Sequence, residues 1–313
     1  MMPRRVKFPL YFIWSLALIG GLSSCVFREE QALMEDRYSK GYITDKRLRE
    51  TSGIVVSKLN DGVMWVHNDS FSLPELYAIN SEGAYLATLR IEGVENFDWE
   101  DLAVFNDNGK EYIVIADVGD NYAERESYQL HIIEEPELPE NGSILSTAPV
   151  KTIDFRYEDG AKDCESVAFD PISQNLLLLS KREDRPQLYG LSLHHKQADL
   201  VIAEKLGDIS PFPDNNPNYF SFLSLIGYGA MPTSMDISRD GGSLAVVTYT
   251  GAYLFSKKGE ESWIEAMSND PQRLDIPKMK QAEAVGFSLD GESIYVTSER
   301  IPAPLIRLEL DNK

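Results

Sequence analysis

The sequence predicts an all-β fold, a five-bladed β-propeller, and three observations predict it. One short strand pattern recurs five times, each copy is followed by further strands in the same order, and no convincing long helix interrupts them. The pattern is an apolar strand opened by a polar residue: SGIVVS (52–57), EDLAVF (100–105), ESVAFD (165–170), TSMDIS (233–238) and EAVGFS (283–288).

A polar turn follows each copy: LNDG, NDNGKE, PISQN, RDGG and LDGE. Their Asp-Gly and Asn-Gly pairs are hairpin chemistry. A second strand comes next (VMWVHND, YIVIADVGD, LLLLSKR, SLAVVTYT, SIYVTSER), then a third (ELYAIN, YQLHII, QLYGLSL, AYLFSKK, LIRLEL). A fourth appears in four copies: AYLATLRI, VKTIDFRY, LVIAEKL and a weaker RLDIP. The fifth copy reaches Lys313 with three strands, and GYITDKRL (41–48) is expected to supply its fourth, closing the ring and removing two sheet edges. The openers are spaced by 48, 65, 68 and 50 residues. The longer steps hold EEPELPENGSILST in the second copy and 208–230 between the third and fourth, the latter expected to be a lid or a packing flap. A six-bladed ring with one degenerate blade and a β-sandwich are the alternatives. A sandwich gives no reason for five similar openings.

In a propeller the first strand of each blade lines the central channel. Ser52, Glu100, Glu165, Thr233 and Glu283 are therefore expected to ring one channel mouth. Strand alternation brings Glu50, Asp98, Asp163, Met231 and Gln281 to the same side and turns Asp101 and Cys164 away. Carboxylates gathered there repel unless a cation sits among them. Hard oxygen donors without His or Cys suit Ca²⁺ and not zinc; a hydrated channel lined by unligated acids is the alternative. The loops after the second strands open on the same face. They bring Asn68, Asp69, Asp117, Asp120 and Asn121 as oxygen donors, and Arg125, Lys181, Arg182 and Arg300 as cations for a phosphate or carboxylate. Tyr249 and His67 are candidates to cap a ligand. Singly, each is more commonly a turn residue, a core residue or a surface ion pair; together they mark a binding face. Trp65 and Trp99 are expected to pack between blades, and Cys164 to be a buried thiol without a His partner.

The N-terminus reads as a targeting segment. Arg4, Arg5 and Lys7 precede an apolar stretch too short and Gly-broken to span a membrane, ending in Leu22-Ser23-Ser24-Cys25. That ending resembles a bacterial lipobox, which implies a signal peptide over 1–24, a lipidated (palmitate-type) Cys25, a tether over 25–39 and a propeller over 40–313. With Val26 and no Asp after the Cys, the expected place is the cell envelope, on the outer membrane where the host has two, held by the lipid anchor alone. Cys164 is the one other cysteine, so a monomer, the expected state, forms no disulfide once Cys25 is lipidated. Losing Arg4, Arg5 and Lys7 leaves 27 Lys and Arg against 50 Asp and Glu. That excess excludes nucleic acid and anionic lipid surfaces as partners and favours divalent cations.

ETSGI, DWEDLAV, DCESVAFD, TSMDIS and QAEAVGFSLDGESIYVTSE resemble the strand openings of the SdiA-regulated family of bacterial propellers, whose function is poorly defined. The order Ser, Glu, Glu, Thr, Glu also resembles the central calcium ring of the five-bladed calcium-activated nucleotidases (apyrases), with Thr233 standing where they have Ser. This resemblance implies Ser52, Glu100, Glu165, Thr233 and Glu283 as a Ca²⁺ shell. Three functions follow as expectations. One is a calcium-stapled module binding an unidentified small molecule or protein at the mouth. A second is a calcium-dependent phosphohydrolase with Asp98 or Asp163 as general base. The third is a lactonase or esterase, by analogy with six-bladed gluconolactonases.

Overall fold

Short runs of Val, Ile, Leu and aromatic residues, each stopped by an Asn, Asp or Gly turn, fold here as antiparallel hairpins. The computed structural model describes residues 38–139, 143–194, 200–214 and 222–311. The expected signal segment, Cys25 and the tether as far as residue 37 lie outside the described residues. Residues 40–313 form one compact unit. Among the described residues no helix is long and apolar enough to cross a membrane.

The chain begins with β1 (Tyr38–Ile43) and a first run, β2 (Thr51–Val56), β3 (Val63–Asn68), β4 (Glu75–Asn80) and β5 (Tyr85–Ile91). A second run follows: β6 (Trp99–Asp107), β7 (Lys110–Asp117), β8 (Tyr128–Glu134), β9 (Ile144–Thr147) and β10 (Lys151–Tyr157). The third is β11 (Cys164–Asp170), β12 (Asn175–Ser180), β13 (Gln187–Ser192) and β14 (Val201–Asp208). After one helical turn, α1 (Phe222–Leu225), come β15 (Pro232–Ile237), β16 (Ser243–Thr248), β17 (Gly251–Ser256), a second turn α2 (Trp263–Ala266) and β18 (Gln272–Leu274). The last run is β19 (Ala282–Phe287), β20 (Ser293–Ser298) and β21 (Ala303–Glu309). Every strand of the repeat has its place, and the all-β reading holds.

The sheets are partitioned differently from the expected five separate ones. Three have the orders β2-β3-β4-β5-β9, β15-β16-β17-β18 and β1-β21-β20-β19, and one eight-stranded sheet runs β11-β12-β13-β14-β10-β8-β7-β6. In that sheet two antiparallel four-strand runs meet at a parallel pair, with Phe155 opposite Val201 and Tyr157 opposite Ala203. Two outer edges thereby satisfy each other's amides. The second-copy insertion contributes β9, which lies parallel to β5 and covers the first sheet's edge. The closing strand sits earlier than expected. It is β1, ending at Ile43, because Asp45 begins a turn in which the Leu48 amide returns to the Asp45 carbonyl at 3.0 Å. In the insertion after β14, Ile209 and Phe212 are buried in the core, so that part is a packing flap.

The innermost strands β2, β6, β11, β15 and β19 each pack against the next, and β19 packs against β2. Apolar side chains fill the gaps between consecutive runs. Trp65 and Trp99 share the cluster between the first and second runs, as their inter-blade reading expects. Trp65 also satisfies its indole N–H on Glu135 Oε1 at 2.9 Å. Cys164 is buried with Phe155, Tyr157 and Tyr189 between the second and third. A fully buried aliphatic or aromatic side chain contributes about 1.5–3 kcal/mol, so these clusters hold the circuit closed.

One expectation is overturned inside that circuit. Asp101 does not turn away: it is fully buried among the inner strands, where its carboxylate accepts from the Val167 amide (2.9 Å), the Met235 amide (3.2 Å), the Ser234 hydroxyl (3.1 Å) and its neighbour Leu102 (2.9 Å). The cause is a register shift between Trp99 and Asp101, which breaks the alternation that the expectation assumed.

Candidate functional site

All five opening residues occupy the same structural position. In each innermost hairpin the pairing register slips across the opener: Thr51/Ile54 around Ser52, Trp99/Asp101 around Glu100, Cys164/Ser166 around Glu165, Pro232/Ser234 around Thr233 and Ala282/Ala284 around Glu283. A β-bulge re-aims the side chain it carries. Here five bulges stand at the same end of five packed strands, and all five side chains are buried.

A second set of equivalent residues stands just beyond β3, β7, β12, β16 and β20: Asp69, Val118, Lys181, Tyr249 and Glu299. Three of them are pinned the same way. The amides of Asp69, Val118 and Lys181 donate to the carbonyls of Glu50, Asp98 and Asp163 at 2.8, 3.2 and 2.9 Å.

Two arrangements result. On one side, oxygens of Asp69, Asp98 and Glu100 lie within 4.8 Å of one another. Ser52 Oγ donates to Glu100 Oε2 at 3.3 Å. Gly119 backs this group, and a methyl there would press on Glu100 Oε1 and Asp98 Oδ2. Burial first, then Asp69, Asp117 and Asp163 against the pull of Arg125, pushes the Asp98 carboxyl up to about 7. Burial, then Glu165, Asp69 and Asp98, holds Glu100 well above the usual carboxylate range.

On the other side stands a built-in cation. Lys181, 4% exposed, pairs with Glu165 Oε1 and donates to the Tyr249 hydroxyl at 2.7 Å. Burial works against its ammonium, but Glu165, Tyr249, Glu283 and Glu100 outweigh it and raise its pKa well above the ordinary lysine value. Glu165, raised by burial and by Asp163 and held down by Lys181, comes to about 7. Burial, then Glu165, Glu299 and Asp69 against Lys181, holds Glu283 well above its usual value. Gln281 donates to it at 3.4 Å. Thr233 Oγ donates to the Ala282 carbonyl at 2.8 Å.

The remaining expected residues divide by what they touch. Asp163 accepts from Arg182 and from the Asp120 amide (3.0 Å), and Arg182 reaches on to Asn121 Oδ1. Asp117 pairs with Arg125 at 2.9 Å, whose guanidinium lies 4.8 Å from the Phe97 ring centre and 4.9 Å from that of Tyr128. Asn68 spends its side chain on the backbone of Arg47 and Glu50, and Asp120 on the amides of Glu124 and Arg125 and the Tyr128 hydroxyl. Both shape turns. Arg300 is exposed, with φ 67° and its amide on the Arg49 carbonyl at 3.0 Å. His67 is a core residue: its Nδ1 lies 2.8 Å from the Asn68 carbonyl, and burial lowers its pKa to about 4.

Sequence reasoning missed two things here. Glu299, directly before Arg300, is not among the residues expected at the mouth. Asp69 is expected there as a loop oxygen and not as one of the metal donors. Aligning the residue after each second strand, and not only the strand openers, reveals both.

No family model matches the chain, and no curated protein matches it. Among solved structures the chain is similar to a gluconolactonase from Xanthomonas campestris, at 14% identity and a TM-score of 0.44 over 83% of this chain and 72% of that one. It is also similar to a luciferin-regenerating enzyme, at 10% identity and a TM-score of 0.43 over 88% of this chain and 96% of that one. Neither likeness bears on which residues act here.

Proposed function

We propose that the protein is an exported, lipid-anchored, five-bladed propeller that holds a calcium-type divalent cation at its channel mouth and binds the anionic group of an unidentified small molecule or protein there. The eight-stranded sheet counts as two blades, each keeping its own innermost strand in the circuit. The observation that carries the cation is the Asp69–Asp98–Glu100 triangle, whose oxygens lie within 4.8 Å of one another. Among the described residues Lys181 is the buried ammonium, and it is paired with Glu165. Hard oxygens are the donors that calcium takes, about 6–8 of them. This triangle would supply three, with Ser52 beside Glu100 and solvent to complete the shell. A bound divalent ion supplies positive charge for anionic oxygens. The chain's own part is to hold the carboxylates together and to keep Arg125 and Arg182 at the rim.

Thermal melting of chelator-treated protein with calcium added back tests this reading. Stabilisation by mass action is expected in the wild type, and Asp98→Asn and Glu100→Gln should each reduce it. An equal shift in all three proteins would remove the triangle from the account.

One observation supports a second reading, a metal-assisted hydrolase of phosphoanhydrides or phosphate esters. Arg125 and Arg182, paired with Asp117 and Asp163, are cations suited to phosphate oxygens. Of the two acids expected as general base, Asp98 belongs to the cation triangle and Asp163 is held by Arg182 and the Asp120 amide. Phosphate release from nucleoside di- and triphosphates decides it: absence of calcium-dependent turnover discards the hydrolase and leaves the binding reading in place.

A further inference from the structure

A metal at the centre of a ring of oxygen donors has to be met by every donor. Here one of the five openers already has a cation. The Lys181 ammonium sits on Glu165 Oε1 and is held from the other side by the Tyr249 hydroxyl at 2.7 Å, over whose ring centre it lies at 4.8 Å. It is not a surface lysine folded in by chance. Its amide is fixed to the Asp163 carbonyl at 2.9 Å, and its side chain is 3% exposed. Tyr249 is fixed in turn, its carbonyl accepting from the Ala282 amide at 3.3 Å, next to Glu283. A desolvated ammonium and a divalent ion cannot share these carboxylates. The like charges would stand within a few ångströms in a poorly screened site.

We infer that Lys181 is the hub's resident cation, taking the place of the axial metal at Glu165 and Glu283, so that the divalent ion of the proposed function is confined to the off-centre Asp69–Asp98–Glu100 group. Among the five openers, Glu165 is paired directly with Lys181 and Glu283 faces it, Glu100 belongs with Ser52 to the off-centre group while still within the field of Lys181, and Thr233 is bonded to the backbone between β15 and β19. The corollary is that removing one side chain converts the hub into a calcium site that uses all the carboxylates. The location of the off-centre ion rests on the proposed function; the role of Lys181 does not.

The test compares wild type, Lys181→Met, Glu283→Gln and the double variant Lys181→Met/Glu165→Gln, by thermal melting and by calcium titration calorimetry on chelator-treated protein. Lys181→Met should be destabilised without metal, because Glu165 is left buried and unpaired. It should bind calcium at least about tenfold more tightly than the wild type. Glu283→Gln should leave the wild-type calcium response unchanged. Should Lys181→Met not fold even with calcium, the double variant decides: recovered metal-free stability without the gained affinity supports the inference, and no recovery overturns it. Loss of the wild-type calcium response in Glu283→Gln, or a calcium affinity in Lys181→Met no higher than in the wild type, overturns it too. A wild type that ignores calcium while Lys181→Met gains a site would defeat the off-centre ion and sustain the role of Lys181.

Discussion

The Asp101 carboxylate, carried on β6, accepts the Met235 amide of β15 at 3.2 Å, although β11 stands between those two strands in the chain order of the circuit. The same oxygen accepts the Val167 amide of β11 at 2.9 Å, so one side chain ties three inner strands together. Ser234 extends the connection: it donates to Asp101 at 3.1 Å and accepts the Val285 amide of β19 at 3.1 Å. Burial pushes the Asp101 carboxyl well above its usual range, while the Val167, Leu102 and Met235 amides and the Ser234 hydroxyl pull it down.

Asp101→Ala is therefore expected to be among the most destabilising single changes. It orphans buried amides on two strands at roughly 1–3 kcal/mol each, a loss on the order of 2–6 kcal/mol. Urea unfolding measures it. A loss under about 1 kcal/mol would mean that water replaces the carboxylate at no penalty and that the axial tie is incidental.

Gly119→Ala separates binding from folding. A methyl at this position meets the ends of the Glu100 and Asp98 side chains, which can swing away, and not backbone. Stability should change by less than about 1 kcal/mol. Calcium affinity should fall about tenfold or more, since donors displaced by even half an ångström lose their geometry. Calorimetry on the folded variant gives both numbers.

Gly53→Ala should behave in the opposite way. Its methyl meets the fully buried His67 ring, with the Leu102 amide nitrogen 3.1 Å away, and neither can yield. The expected loss is about 1–3 kcal/mol of stability, as for other overpacked sites. It would be read as a lowered urea midpoint with an unchanged slope.

Asp236 gives a pH signature away from the mouth. It accepts the Phe287 and Ile237 amides, both at 2.8 Å, and burial raises its carboxyl to about 6. The folded chain thus keeps this proton in a window where the unfolded chain has released it. The contribution to stability is complete at pH below the unfolded value and is lost as pH rises to about 6. Asp236→Asn should flatten that decline by an amount on the order of 2–3 kcal/mol. Unfolding free energies at pH 4, 5, 6 and 7 report it; an unchanged slope would assign the decline to other groups.

Strand identity and order were legible in the sequence because short apolar runs repeated in one order and Asn, Asp and Gly turns are local signals. SGIVVS, EDLAVF, ESVAFD, TSMDIS and EAVGFS all became innermost strands. The joining of β10 to β14 was not legible, since edge pairing leaves no mark on side-chain alternation. Nor were the bulges, whose backbone slip reversed the expected direction of Asp101. The openers Ser52, Glu100, Glu165, Thr233 and Glu283 could be picked out by repetition alone. What Lys181 does among them could not: Glu165 shares its hairpin, but Tyr249 comes from the next one and meets the ammonium only when the innermost strands pack.

Anomalous scattering from a crystal soaked in a lanthanide, used as a calcium substitute, would locate the ion directly. The account predicts one peak at the channel mouth within ligand distance of Asp69, Asp98 and Glu100, with the Lys181 ammonium still on Glu165. A peak centred among Glu165, Thr233 and Glu283 with Lys181 displaced, or no peak at the mouth at saturating metal, would contradict it.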